Sequence, residues 1–196
     1  NVIYPHKCVV KSADDFKVAV ARDHVCAAFR NNHRGKERFI ASDVDVMDCD
    51  NDHSENPDDW VTPESLAVIL EGVCCAVAPS RHNMKPKGQY TARPRFHVYF
   101  PHPEITDADQ CRRLKENIHR QFPFFDDGAL DAARFIYGNP ADQVIWQEGD
   151  VTIDFWFKDR TIPEGSRNNT LSLFAGRVLK RYGISEKSHE IFLEEA

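Results

Sequence analysis

Asp48 and Asp50 stand one residue apart at the acidic end of residues 39–50, a run otherwise rich in apolar and β-branched side chains. On an extended strand alternate side chains share a face, so both carboxylates point to one side and Cys49 to the other. Two carboxylates that close repel unless cations bridge them, and hard oxygen ligands of this kind suit Mg²⁺ or Mn²⁺. A pair of such ions can activate a hydroxyl nucleophile and stabilise a leaving pyrophosphate in an in-line displacement. The spacing is not unique to this pair. Residues 43–59 hold eight acidic side chains and no Lys or Arg, so Asp43 with Asp45, or Asp50 with Asp52, offers the same spacing. A run of this kind is often only a solvated loop. An EF-hand is excluded: with Asp48 at its first position, its sixth is His53 where Gly is needed and its twelfth is Asp59 where Glu is needed.

A basic stretch balances the acidic one. Residues 72–103 contain Arg81, Lys85, Lys87, Arg93 and Arg95 and no acid. Within it, residues 93–100 alternate cleanly, with Arg93, Arg95, His97 and Tyr99 on one strand face and Phe96, Val98 and Phe100 on the other. Arg95 and His97 on a shared face are charge-assisted donors suited to a triphosphate. Ser80, Arg81, Lys85 and Lys87 precede them on a loop that could close over phosphates. Each of these charges alone is an ordinary surface residue, and His97 alone an ordinary structural histidine. Their combination carries the chemistry, and it makes the net charge of −6 a poor guide to phosphate-bearing partners.

Several elements must position these groups. Residues 12–29 are expected to form a helix, with Ser12 and Asp15 at capping spacing. The strand over 39–50 follows, then a helix begun by Thr62 and Pro63 and stopped at Gly72. A short buried strand covers 73–78, and the alternating strand over 93–100 ends at Pro101 and Pro103. Thr106 caps a helix through Gln121, and 130–137 is a fourth strand. The order strand, helix, strand, strand, helix, strand is that of an α+β protein with a ferredoxin-like or RRM-like βαββαβ core and an N-terminal helical flank. Such a core places its first strand between the third and fourth. Asp48, Asp50, His97 and Asp131 then converge on one patch, with Asp131 as a third metal ligand.

The chain has 196 residues, 41% hydrophobic and 29% charged, which is ample for one domain with its own core. No stretch approaches the roughly 18 consecutive apolar residues of a membrane span. The start lacks the layout of a signal peptide, so a soluble, cytoplasmic protein with no membrane partner is expected. Six cysteines without a C-x-x-C pair are expected to be reduced thiols, mostly small buried apolar residues. No H-x-H occurs, which removes the metal site that a tyrosine nicking protein requires.

Three segments together resemble the archaeo-eukaryotic primase superfamily, and more closely the primase-polymerases of phages and integrative mobile elements. They are Met47-Asp48-Cys49-Asp50-Asn51-Asp52-His53-Ser54, Pro94-Arg95-Phe96-His97-Val98-Tyr99-Phe100-Pro101 and Leu130-Asp131-Ala132-Ala133-Arg134-Phe135. The superfamily pattern is D-x-D on one strand, a histidine on a second, and a hydrophobic residue followed by Asp on a third. The resemblance covers roughly residues 20–196. It selects Asp48 and Asp50 as the first metal-binding motif, His97 as the nucleotide-binding histidine and Asp131 as the third motif. Arg95 stands where the family often has a small hydroxyl residue. The implied protein is a DNA primase-polymerase that uses two Mg²⁺ or Mn²⁺ ions, (d)NTPs and a DNA template or primer, in a bacterial cell, phage or integrative element. A catalytically inactive DNA-binding module of a replication protein is the alternative.

The resemblance also implies a catalytic domain over 1–160 and the start of a helical region over 161–196. There Leu171, Phe174, Ala175, Val178, Leu179 and Tyr182 form an apolar stripe ended by Gly183. The chain begins at Asn1 and ends inside an expected short helix. A portion of a longer protein, with further helices and a helicase module as partner, is therefore expected.

Overall fold

The computed structural model describes residues 2–154. Helix α1 (Ala13–Val20) begins at Ser12, whose hydroxyl accepts from the Asp15 backbone at 3.2 Å, and it buries Phe16 and Val20. The helix expected to reach Phe29 stops there. Residues beyond it form the short strands β1 (His24–Val25) and β2 (Ala27–Phe29) instead. Asp23 helps to anchor the change, its carboxylate accepting from Gly138 N–H at 2.9 Å. Pairing with distant strands outweighs a local helical preference that is weak per residue.

The main sheet has the order β2-β3-β5-β4-β7, with β3 (Phe39–Cys49), β4 (Cys75–Pro79), β5 (Phe96–Ile105) and β7 (Ile145–Gln147), and every neighbouring pair is antiparallel. Between β3 and β4 lies α2 (Pro63–Ile69), started by a reciprocal cap between Thr62 and Ser65. Gly72 follows it at φ +82°, a left-handed turn that glycine adopts without strain. Strand β5 does not end at its prolines. It runs through Pro101 and Pro103 to Ile105, because β4 pairs with it only from Phe96 to Tyr99 and a proline on the open flank leaves no ladder bond unmade. Helix α3 (Ala108–Gln121) is capped by Asp107, one residue beyond the expected Thr106, and buries Cys111, Leu114, Lys115 and Ile118.

The strand expected over 130–137 is largely absent. A 3-10 turn at Asp127–Ala129 precedes it, and a side-chain turn, in which the Asp131 carboxylate accepts from Ala133 N–H at 2.9 Å, breaks it up. Only β6 (Phe135–Ile136) remains, and it pairs with β1 in a separate two-stranded ribbon. The flank of β3 is taken by β2. Gly138 ends the ribbon against the backbone of Arg22, where a Cβ would come within 2.3 Å of the Arg22 carbonyl carbon.

The main sheet is buried on both faces. Met47, Cys49, Val77, Val98 and Phe100 pack with Leu66, Leu70, Leu114 and Ile118 on the helical side. Val46, Ala76, Ala78 and Tyr99 pack with Phe16, Val20 and Ile136 on the other. The class is α+β with a mostly antiparallel sheet. Among the described residues no helix is long and apolar enough to cross a membrane. The segment 161–196 and its expected helical stripe lie outside the described residues.

Candidate functional site

The β3–β5 register sets Asp48 directly opposite His97. Asp48 is 5% exposed. Its Oδ1 has no hydrogen-bond partner and lies 3.6 Å from His97 Nε2, while its Oδ2 accepts from Arg134 Nη2. Burial lowers the His97 pKa, and the neighbouring Asp48 and Asp50 charges oppose that shift only in part. A neutral imidazole at neutral pH therefore faces a carboxylate oxygen that is short of a partner.

Asp50 lies just past the strand end, in contact with Lys87 Nζ, with Arg95 Nε 3.7 Å from its Oδ1. The chain then turns at Asn51, at φ +55°, whose side chain ties two segments together: its amide donates to the carbonyls of Val61 and Pro94 at 2.9 and 2.8 Å. Asp48 and Asp50 are thus both present at the end of β3, and both are met by cations.

A further carboxyl lies close enough to feel their charge, that of Asp126. Asp126 donates its backbone N–H to the Asp48 carbonyl at 2.8 Å. Burial, followed by the Asp50 and Asp48 charges, pushes its carboxyl up to about 7. Asp131 is exposed, and its carboxylate is used in the turn to Ala133. It lines a small depression with Asp45, Lys115 and Arg134. Among the described residues no three His, Cys, Asp or Glu side chains are gathered as a ready metal-binding group. A divalent cation nevertheless fits the donor chemistry at the end of β3, where a buried carboxylate oxygen is unbonded and the neighbouring Asp126 carboxyl is raised by burial and by the Asp50 and Asp48 charges. Sequence periodicity missed Asp126 because it sits in a turn; Phe125-Asp126, a hydrophobic residue followed by Asp, was the available signal.

The basic residues divide into two sets. Arg93 and Arg95 are fully buried. Arg95 donates from Nη2 to Asp52 at 2.8 Å and from Nη1 to the Lys85 carbonyl at 2.9 Å, so it ties the acidic turn to the basic loop and is not presented to solvent. Arg93 clasps Glu55 at 2.8 Å and the carbonyls of Asn51 and Ser54, between the rings of Trp60 and Tyr90. Ser80, Arg81 and Lys85 instead line an open polar cleft of about 410 Å³ together with Asn83, Asn139 and Gln143. There Arg81 pairs with Asp23 at 3.3 Å and lies 4.7 Å above the Tyr137 ring. The expected nucleotide-binding set is therefore split between a buried brace and an accessible cleft. Comparison of the chain with protein-family models, with curated proteins and with solved structures finds no match.

Proposed function

We propose that this chain carries the catalytic part of a DNA primase-polymerase, transferring nucleotides from (d)NTPs onto a primer or first nucleotide on a DNA template. The observation that carries the reading is Asp48, a buried carboxylate with one free oxygen, held opposite His97 and flanked by Asp50 and Asp126. In this reading Asp48 and Asp50 hold two Mg²⁺ or Mn²⁺ ions, with Asp126 in the place first expected for Asp131. When bound, the ions supply activation of the attacking hydroxyl and charge stabilisation of the leaving pyrophosphate. His97 orients a phosphate oxygen of the incoming nucleotide beside them. Arg134 and Lys87, now on Asp48 and Asp50, are the cations nearest to hand for the triphosphate.

The topology supports a finer reading as well. The succession β3, α2, β4, β5, α3 with sheet order β3-β5-β4 is what a ferredoxin-like split βαβ core requires of its first three strands. We read β2 as occupying the place of the fourth.

The test is template-dependent extension of a labelled primer by the purified chain with Mn²⁺ or Mg²⁺ and each nucleotide class. Incorporation that is lost in Asp48→Asn and Asp50→Asn supports the reading, and incorporation by neither wild type nor any metal condition removes it. A DNA-binding module without turnover has one observation in its favour: Arg134 and Lys87 already neutralise the two carboxylates. It predicts DNA binding with no incorporation and no Mn²⁺ bound at Asp48.

A further inference from the structure

The extended segment around β6, residues 134–137, has two different sides. Arg134 and Ile136 turn inward, the first onto Asp48 and the second into the core. Phe135 and Tyr137 form an edge-to-face pair, centroids 4.6 Å apart, on the opposite side of the strand. A guanidinium lies over each ring: Arg34 at 5.7 Å from the centre of Phe135, and Arg81 at 4.7 Å from the centre of Tyr137. Tyr4 extends the row beyond Phe135 at 6.2 Å.

Two features go beyond what packing alone needs. Tyr137 is 58% exposed, which is unusual for a ring already held between an aromatic edge and a guanidinium. Arg34 is bonded through Nη1 to the Ala133 carbonyl at 3.1 Å, yet its buried Nε has no partner. Arg34 faces no carboxylate within ion-pair distance among the described residues, and Arg81 faces one, Asp23. Beside the ribbon, exposed Tyr137 and Arg81 and half-buried Phe135 and Arg34 therefore set flat rings next to positive charge. This is the composition that single-stranded nucleic acid uses, its bases stacking on aromatic faces and its phosphates meeting the cations. Duplex DNA hides its base faces and gains nothing from such rings.

We propose that the outer face of the β1–β6 ribbon is a stacking platform for single-stranded nucleic acid, with Tyr137 as its main accessible ring and Arg34 and Arg81 as its phosphate contacts. The proposal deepens the nucleotidyl-transfer reading and rests on it for the strand's purpose, since Arg134, the residue just before β6, reaches the carboxylate site. Its physical basis, the exposed Tyr137 ring with guanidinium groups beside it, is independent of that site.

The experiment is fluorescence anisotropy of a labelled oligothymidylate with the full chain in EDTA, so that metal plays no part. Tyr137→Ala is expected to weaken binding about tenfold, and Tyr137→Phe to stay within about twofold of wild type. An abasic strand of the same length should bind wild type about as weakly as oligothymidylate binds Tyr137→Ala, and should not distinguish the two proteins. Equal binding of oligothymidylate by wild type and Tyr137→Ala, equal binding of the abasic strand, or no binding by wild type overturns the proposal. Calorimetric Mn²⁺ titration of the same samples reports the carboxylate site separately. A wild type that binds no Mn²⁺ yet shows the Tyr137-dependent binding loses the polymerase reading and keeps the platform.

Discussion

Carboxylates gathered from two distant segments are costly without counter-charge, and that cost is visible at Asp126, whose carboxyl rises to about 7 from burial and from Asp50 and Asp48. Asp131 is exposed and its carboxylate is engaged in its own turn. The two residues are therefore expected to separate in a mutational test. Asp126→Asn should cut nucleotide incorporation at least about a hundredfold, as loss of a metal-ligating or charge-stabilising oxygen does. Asp131→Asn should keep most of the wild-type rate, and single-turnover extension kinetics at saturating Mn²⁺ will compare them. Lys87 provides a second check from the opposite sign of charge. It sits on Asp50, half-exposed, where it competes with any cation for the same oxygen. Lys87→Ala should tighten Mn²⁺ binding severalfold, measured by calorimetry without nucleotide. Weaker or unchanged binding would mean that Asp50 is not a ligand.

The acidic turn after β3 owes its shape to a residue from another element. Arg93 is 0% exposed, spans Glu55 and the carbonyls of Asn51 and Ser54, and is sandwiched by Trp60 and Tyr90. Removing one partner from a buried charged network leaves the other polar groups unpaid for, and Glu55, being largely exposed, softens the loss. Arg93→Ala is expected to cost about 3 kcal/mol, read from the urea midpoint at unchanged slope, and Arg93→Lys should not restore it because an ammonium cannot reproduce the planar fork. How far such elements were legible follows from their physics. The 39–50 strand, the Thr62 cap and the α3 stripe are local patterns, and each forms where the sequence expects it, α3 with its cap moved by one residue. The alternation of Arg93, Arg95 and His97 was equally plain, but not its meaning. Whether an arginine reaches for a ligand or for a neighbouring turn depends on what packs beside it, and Asp52 and Glu55 come from the far side of a helix in sequence. The same blindness split the helix expected over 12–29 and dissolved most of the strand expected over 130–137. Both depend on β1 and β6 finding one another across more than half of the described chain.

All six cysteines are free thiols, as a chain without C-x-x-C pairs suggested, and their burial couples the whole domain to alkaline pH. Burial pushes Cys26, Cys75 and Cys111 up to about 12, and Cys49 rises for the same reason. In the unfolded chain these thiols titrate near ~8.5. Between that pH and about 12 the folded protein keeps protons that the unfolded chain has lost. The stabilisation is therefore complete below the unfolded value and drains away as pH rises through the folded one. The urea midpoint should accordingly decline as pH is raised above about 8.5, and Cys75→Ala and Cys111→Ala should each flatten the decline. The same burial predicts which thiols react. Cys8 is exposed, whereas Cys49, Cys75 and Cys111 lie in the core and Cys74 points its sulfur at the Gly149 carbonyl, 3.0 Å away. Thiolate is the reacting form, so a disulfide reagent at pH 8 should label native protein rapidly at Cys8 while the core thiols wait on unfolding. Cys8→Ser should abolish the rapid step and leave the slow ones. A rapid step that survives that substitution and maps to Cys49, Cys75 or Cys111 would place a reactive thiol in the core, and the alkaline decline would then need another cause.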